Sequence, residues 1–131
     1  MGVGAKGIMI LGSMGMGLAV LLGAFGAHAL KAKLTADMLN VYHTANQYHF
    51  YHALGLLLIG VLSIQWPQSA WLYRAAWCMG IGMFCFSGSL YILSTTSQHW
   101  LGPVTPLGGL LLIISWIFLI IALIQLPHSS L

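Results

Sequence analysis

Acidic side chains are almost missing from this sequence: of 131 residues, only Asp37 carries a carboxylate. That excludes chemistry built on paired carboxylates, whether general acid–base catalysis or an oxygen cage for a hard cation. Charge of the other sign is scarce too. Lys6, Lys31, Lys33 and Arg74 are the whole cationic complement and never form a run, so they make no phosphate-tracking surface and no nucleic-acid partner is expected. Charged residues total 4%, where a soluble domain carries about 25%. With 60% hydrophobic residues and a mean hydropathy of +0.94, most of the chain has a solvent other than water. The only cysteines, Cys78 and Cys85, share one apolar run. On a helix rising ~1.5 Å per residue they lie roughly 10 Å apart, too far to bridge. They read as small buried hydrophobes, silent about redox compartment. Internal repeats, low-complexity tracts and a second domain are absent as well.

Long apolar runs are abundant instead. They cover Gly7 to Leu30, about Gln47 to Trp66, Ala75 to Leu93 and Val104 to Leu126, each close to the ~20 residues a helix needs to cross ~30 Å of hydrocarbon. In lipid, only helices and closed barrels satisfy the backbone, and these runs are too long for barrel strands. The predicted fold is therefore all-α, a single four-span membrane domain over residues 1–131 forming a four-helix transmembrane bundle. Lys6 ahead of the first run and Ala27-His28-Ala29 at its end resemble a secretory signal with its cleavage site. The apolar part exceeds the ~7 to 15 residues of a signal core, which keeps it as a span. Within it, Gly12, Gly15, Ala19, Gly23 and Gly26 recur at three- and four-residue steps, predicting a stripe of close helix contact. Trp66, Trp71, Tyr73 and Trp100 fit an interfacial aromatic belt. Between spans one and two, Thr35, Asp37 and the repeat Leu34, Met38, Val41 predict a short amphipathic helix lying along the interface. Before span four, Thr105 ahead of Pro106 reads as a helix cap.

With four spans, the end of span one, the start of span two, the end of span three and the start of span four share one membrane face. Polar residues crowd there. His28, His43, Thr44, Gln47, Tyr48, His49, His52, Ser87, Ser89, Tyr91 and Thr105 make up a candidate polar pocket. Ala53 to Ile64 covers only about 18 Å as a helix, so span two draws Tyr48, His49 and His52 to headgroup level or below, where ionisable groups face a bundle interior or cavity. Helical spacing puts Thr44, Tyr48, Tyr51, His52 and Gly55 on one side, with His52 predicted to point inward near Tyr48 and close to Ser87 or Tyr91. Charge does not orient the bundle, because Lys6 and Arg74 on one face balance Lys31 and Lys33 on the other.

Four local strings sharpen the picture. Leu22 to Leu30 reads LGAFGAHAL; Tyr42-His43-Thr44 is followed by Gln47 to Gly55, QYHFYHALG; Phe86 to Tyr91 reads FSGSLY; and Thr105 to Gly109 reads TPLGG. In this order, and over nearly the whole chain, they resemble the YgdD/YwdK family of small bacterial inner-membrane proteins. The resemblance implies four spans, both termini in the cytoplasm, and a polar face turned to the periplasm or cell exterior. It implies no activity, because the family is a domain of unknown function.

Among chemical readings, His49 and His52 lie about 60° apart round a helix and both reach toward one metal or haem iron. No compact ligand motif accompanies them, and no cofactor is expected. Ser87 and Ser89 near histidines suggest a nucleophile and base, yet the one carboxylate lies in a loop, and small residues with hydroxyls commonly bond across helices. Passage of a small solute through an oligomer is a further alternative; it lacks the intramembrane carboxylate of most proton relays, although histidine titrates near neutrality. The favoured expectation is a non-enzymatic membrane module whose polar face binds a lipid, a quinone or a protein partner, with membrane lipids and homo-oligomers as its partners.

Overall fold

A computed structural model describes residues 4–127. Four helices follow one another: α1, Ala5–Phe25, extended by a π-helical turn over Gly26–Leu30; α2, Ala36–Gln65; α3, Ala70–Thr96; and α4, Val104–Ile124, preceded by a single 3-10 turn at His99–Leu101. All four are long and apolar enough to cross a membrane, and the described residues contain no strand.

The interfacial helix expected between spans one and two is not a separate element. The link shrinks to Lys31–Thr35, and the residues from Ala36 onward are the opening turns of α2. Thr35 caps that helix by accepting a hydrogen bond from the Met38 N–H at 3.2 Å, and Asp37 stands in its first turn, where a negative charge suits the positive end of the helix dipole. From Ala36 to Leu54 no Gly or Pro interrupts the chain, so nothing stops the helix once begun. At 30 residues α2 is about 45 Å long and overshoots the hydrocarbon layer. Ser69 caps α3 in the same way, and Ser97, with φ of 57°, ends it. Thr105 does not cap α4. The helix begins one residue earlier, at Val104 with Pro103 before it, so the Thr105 hydroxyl falls inside the first turn and bonds Ser89 of α3 at 2.6 Å.

The helices pack in chain order, α1 on α2, α2 on α3 and α3 on α4, leaving α1 and α4 at the two edges. Ile59, Leu72, Ala75 and Met79 are fully buried at the centre of the apolar core, which Ile8, Leu112, Leu119 and Ala122 extend into both edge helices. Glycines permit backbone contact, most closely at two positions. A Cβ on Gly12 would lie 2.7 Å from the Leu57 nitrogen of α2, and one on Gly108 of α4 would collide with the Cys85–Phe86 backbone of α3. The small residues of the predicted stripe meet α2: Gly15 lies against Ala53, Gly23 against the Asn46 side chain and Gly26 beneath the Tyr42 ring, while Ala19 is fully buried.

Candidate functional site

The face that α2 turns inward carries Tyr42, Ala45, His49, His52, Leu56 and Ile59 at alternating three- and four-residue steps. Its polar members, with half-buried Asn46, reach two neighbouring helices. Tyr42 donates its hydroxyl hydrogen to the Leu22 carbonyl, Asn46 donates to the Ala19 carbonyl at 2.9 Å, and the His49 ring lies against the Gly15 carbonyl. Positions 42 and 46 thus descend antiparallel to carbonyls 22 and 19, two rungs between α2 and α1, and His49 continues the line toward Gly15. A helical carbonyl already accepts one backbone bond, and its second lone pair takes these. Small side chains on α1 let them approach.

On the α3 side, the Tyr91 hydroxyl stands 3.0 Å from the Asn46 amide nitrogen and 2.9 Å from His49 Nδ1. Asn46 donates there, so Tyr91 spends its single proton on His49 Nδ1. The imidazole proton is thereby assigned to Nε2, toward the Gly15 carbonyl. Tyr42 and Tyr91 meet edge to face at 5.1 Å, and Ser87 donates to the Ala45 carbonyl at 2.7 Å. Where Tyr42 bonds the Leu22 carbonyl and its ring covers Gly26, α1 passes into its π-helical turn.

His52 belongs to a different neighbourhood. Its Nε2 accepts the Trp116 indole N–H of α4 at 3.0 Å, which leaves Nδ1 as the donor to the Tyr48 carbonyl at 2.8 Å. The two histidines therefore hold opposite tautomers. Above His52 lies an open groove of about 610 Å³ between α2 and α4, floored by Phe86 of α3 and walled by Tyr48, Gly109, Leu110, Ile113 and Trp116. Tyr48 stacks on His52 with ring centres 6.0 Å apart and tilts against Phe86 at 4.9 Å. Tyr48 is exposed, and its hydroxyl bonds none of the described residues.

The candidate residues consequently do not line one pocket. His49, Tyr91 and Ser87 enter the network among α1, α2 and α3; Tyr48 and His52 border the groove; Ser89 and Thr105 pair with each other between α3 and α4. His28, His43, Thr44 and Gln47 stay on the surface, Thr44 bonding the Asn40 carbonyl of its own helix and Gln47 the Tyr51 hydroxyl at 2.6 Å. The expected inward stripe is corrected likewise. Thr44, Tyr48 and Tyr51 are exposed, and the buried polar face of α2 is set by positions 42, 45, 49 and 52. His52 turns inward beside Tyr48, but its partner across the bundle is Trp116 rather than Ser87 or Tyr91, whose level His49 occupies. The rings of His49 and His52 address different helices, and no group of three potential metal ligands exists among the described residues. Asn46, Tyr42 and Trp116 were missing from the sequence-derived set. Asn46 and Tyr42 carried a usable signal, lying at helical spacing from His49. Trp116, in a uniformly apolar run, carried none.

A family profile described as a protein of unknown function (DUF423) matches residues 22–109. The chain is 48% identical over 120 residues to the UPF0382 membrane protein YwdK of Bacillus subtilis, covering 92% of this chain and 98% of that protein. It is 42% identical over 120 residues to a UPF0382 membrane protein of Staphylococcus epidermidis, covering 92% and 97%, and 44% identical over 116 residues to one of Staphylococcus saprophyticus, covering 88% and 95%. No solved structure matches it.

Proposed function

From the premise that the chain belongs to this DUF423/UPF0382 family of multi-pass membrane proteins, we propose a non-enzymatic module of the bacterial cytoplasmic membrane. Both termini lie in the cytoplasm, and the α2–α4 groove, in the outer leaflet, binds a membrane amphiphile with a long hydrocarbon tail and a hydrogen-bonding head.

The observation that carries this reading is the groove itself. From Pro106 to Trp116 its α4 wall runs about 15 Å at helical rise, the depth of one leaflet of a ~30 Å hydrocarbon core. Leu110 and Ile113 offer a tail an apolar wall, and Tyr48, an exposed residue of the α2 side, offers a head its unbonded hydroxyl. Amphipathic aromatics serve in this way at the membrane interface. The distribution of the serines supports a non-enzymatic role: Ser87 donates to a backbone carbonyl and Ser89 pairs with Thr105, so neither is aimed at a histidine base. The interior supports binding over solute passage, since the buried side-chain nitrogens and oxygens among the described residues are all hydrogen-bonded.

Phospholipid and isoprenoid quinone share the required chemistry. Native mass spectrometry of the full chain released from detergent, with an ultraviolet spectrum of the extracted ligand, separates them. An amphiphile of lipid or quinone mass is expected on the wild type. Gly109→Phe, which fills the groove, should lose it, and Tyr48→Phe should weaken it. Retention unchanged in Gly109→Phe, or a second protein chain bound in place of an amphiphile, would overturn the proposal.

A further inference from the structure

Granted that the α2–α4 groove takes an amphiphile, the reading on which this assignment rests, the lining of the groove discriminates between heads. Charge is the first discriminant. None of the four cations of the chain lines the groove: Lys6 and Arg74 stand at the helix starts of the opposite face, and Lys31 and Lys33 lie in the α1–α2 link. A phosphate head therefore meets no counter-charge there. Hydrogen bonding is the second. His52 has both ring nitrogens engaged, and Trp116 gives its indole N–H to one of them. The Tyr48 hydroxyl is then the one side-chain donor of the lining without a partner among the described residues. Such a site suits a neutral head that accepts one hydrogen bond.

Aromatic rings are the third. Phe86 of α3 meets Tyr48 of α2, Tyr48 stacks on His52, and His52 meets Trp116 of α4 with ring centres 5.9 Å apart. All four line the groove, so an unbroken run of rings crosses it from helix to helix, with Tyr48 and Trp116 exposed. A furrow of about 340 Å³ between α1 and α3, toward the other membrane face, has no counterpart, because its rings, Tyr73, Trp77 and Phe84, all belong to α3. The faces of Tyr and Trp rings are electron-rich. A flat ring drained of electrons by its own carbonyls gains more from them than an aliphatic head does. We propose that the amphiphile of the α2–α4 groove is a quinone with an isoprenoid tail, its head against the Tyr48, His52 and Trp116 rings, one carbonyl accepting the Tyr48 hydroxyl hydrogen and the tail on Leu110 and Ile113. Diacylglycerol shares the neutral charge without the flat ring; phosphatidylglycerol has neither.

The test is native mass spectrometry of the full chain, delipidated in detergent and titrated separately with an isoprenoid naphthoquinone, the isoprenoid alcohol of the same tail, diacylglycerol and phosphatidylglycerol. The wild type should hold the quinone most tightly. Tyr48→Phe should weaken quinone binding about fivefold, the effect of one neutral hydrogen bond, and Tyr48→Leu, which also removes the ring, about fivefold more. The same two changes should alter alcohol binding little. Gly109→Phe should abolish binding of the quinone, and Ile113→Trp, which narrows the groove further along α4, should do the same should Gly109→Phe fail to fold. Gly80→Phe enters the α1–α3 furrow, where a Cβ meets no atom within 4 Å, and should leave quinone binding unchanged. Quinone held no more tightly than the alcohol or diacylglycerol, with all three lost in Gly109→Phe, would overturn the quinone assignment and leave the groove an amphiphile site. Tighter binding of phosphatidylglycerol than of quinone would do the same. No retention of any probe by the wild type, or retention indifferent to both Gly109→Phe and Ile113→Trp, would overturn the groove reading and the assignment together.

Discussion

Tyr91 ties two polar side chains of α2 together from α3, because its one hydroxyl serves both Asn46 and His49. Removing it leaves an amide hydrogen and an imidazole nitrogen without that partner in a medium that offers no water. Interhelical hydrogen bonds in membrane proteins contribute ~0.6 kcal/mol on average and up to ~1.7, so Tyr91→Phe should destabilise the bundle by about 1 to 3 kcal/mol. Tyr48→Phe, which loses an exposed hydroxyl without an intramolecular partner, should leave stability nearly unchanged. Equilibrium unfolding in mixed micelles measures both, and a Tyr91→Phe variant as stable as the wild type would show that the network contributes nothing net. The proton placement is checkable independently: nitrogen-15 NMR of selectively labelled histidine should report a protonated Nδ1 at His52 and a protonated Nε2 at His49. The same tautomer at both sites would contradict the hydrogen-bond assignment.

For whole helices, glycine matters by position, not by number. Gly12 and Gly17 share α1 and differ by five residues, yet a Cβ on Gly12 would press on the Leu57 backbone at 2.7 Å while one on Gly17 meets nothing within 4 Å. Backbone cannot swing aside as a side-chain tip can. Gly12→Ala should therefore overpack the α1–α2 contact and cost about 1 to 3 kcal/mol, whereas Gly17→Ala should be neutral or stabilising by roughly 0.4 to 1 kcal/mol through the unfolded chain. Comparing melting temperatures of the two variants in one detergent tests this, and equal shifts would mean that α1 is not held where the contact requires. The π-helical turn begins at the same close contact, where the Tyr42 ring lies over Gly26.

At the scale of the whole molecule, packing in chain order leaves the bundle with two edges and, among its openings, an apolar groove toward each membrane face. Orientation decides which leaflet each groove serves. In a chain lacking Cys78 and Cys85, an impermeant thiol reagent applied to intact cells should label Ala36→Cys and Gln98→Cys and spare a cysteine appended after the last residue. The reverse pattern would invert the topology and exchange the leaflets assigned to the two grooves.

The number and class of the helices were legible in the sequence because the bilayer imposes them: an apolar run of about 20 residues has no other way to satisfy its backbone in hydrocarbon. The close contact of α1 was legible too, since Gly12, Gly15, Ala19, Gly23 and Gly26 fall into one stripe by helical geometry alone. The inward face of α2 was not. Tyr and His occur all round the start of that helix, at Tyr42, His43, Tyr48, His49, Tyr51 and His52, so several stripes are equally polar in sequence. Only the rotation that packing against α1 and α3 imposes selects 42, 45, 49 and 52 for burial. The partner of His52 was decided in the same way. Trp116 stands 64 positions further along in a run with no polar pattern, and it meets the imidazole only because α3 seats α4 beside α2. Periodicity describes a helix against its own axis, while a hydrogen bond between helices depends on how two axes are turned toward each other, which tertiary packing alone determines.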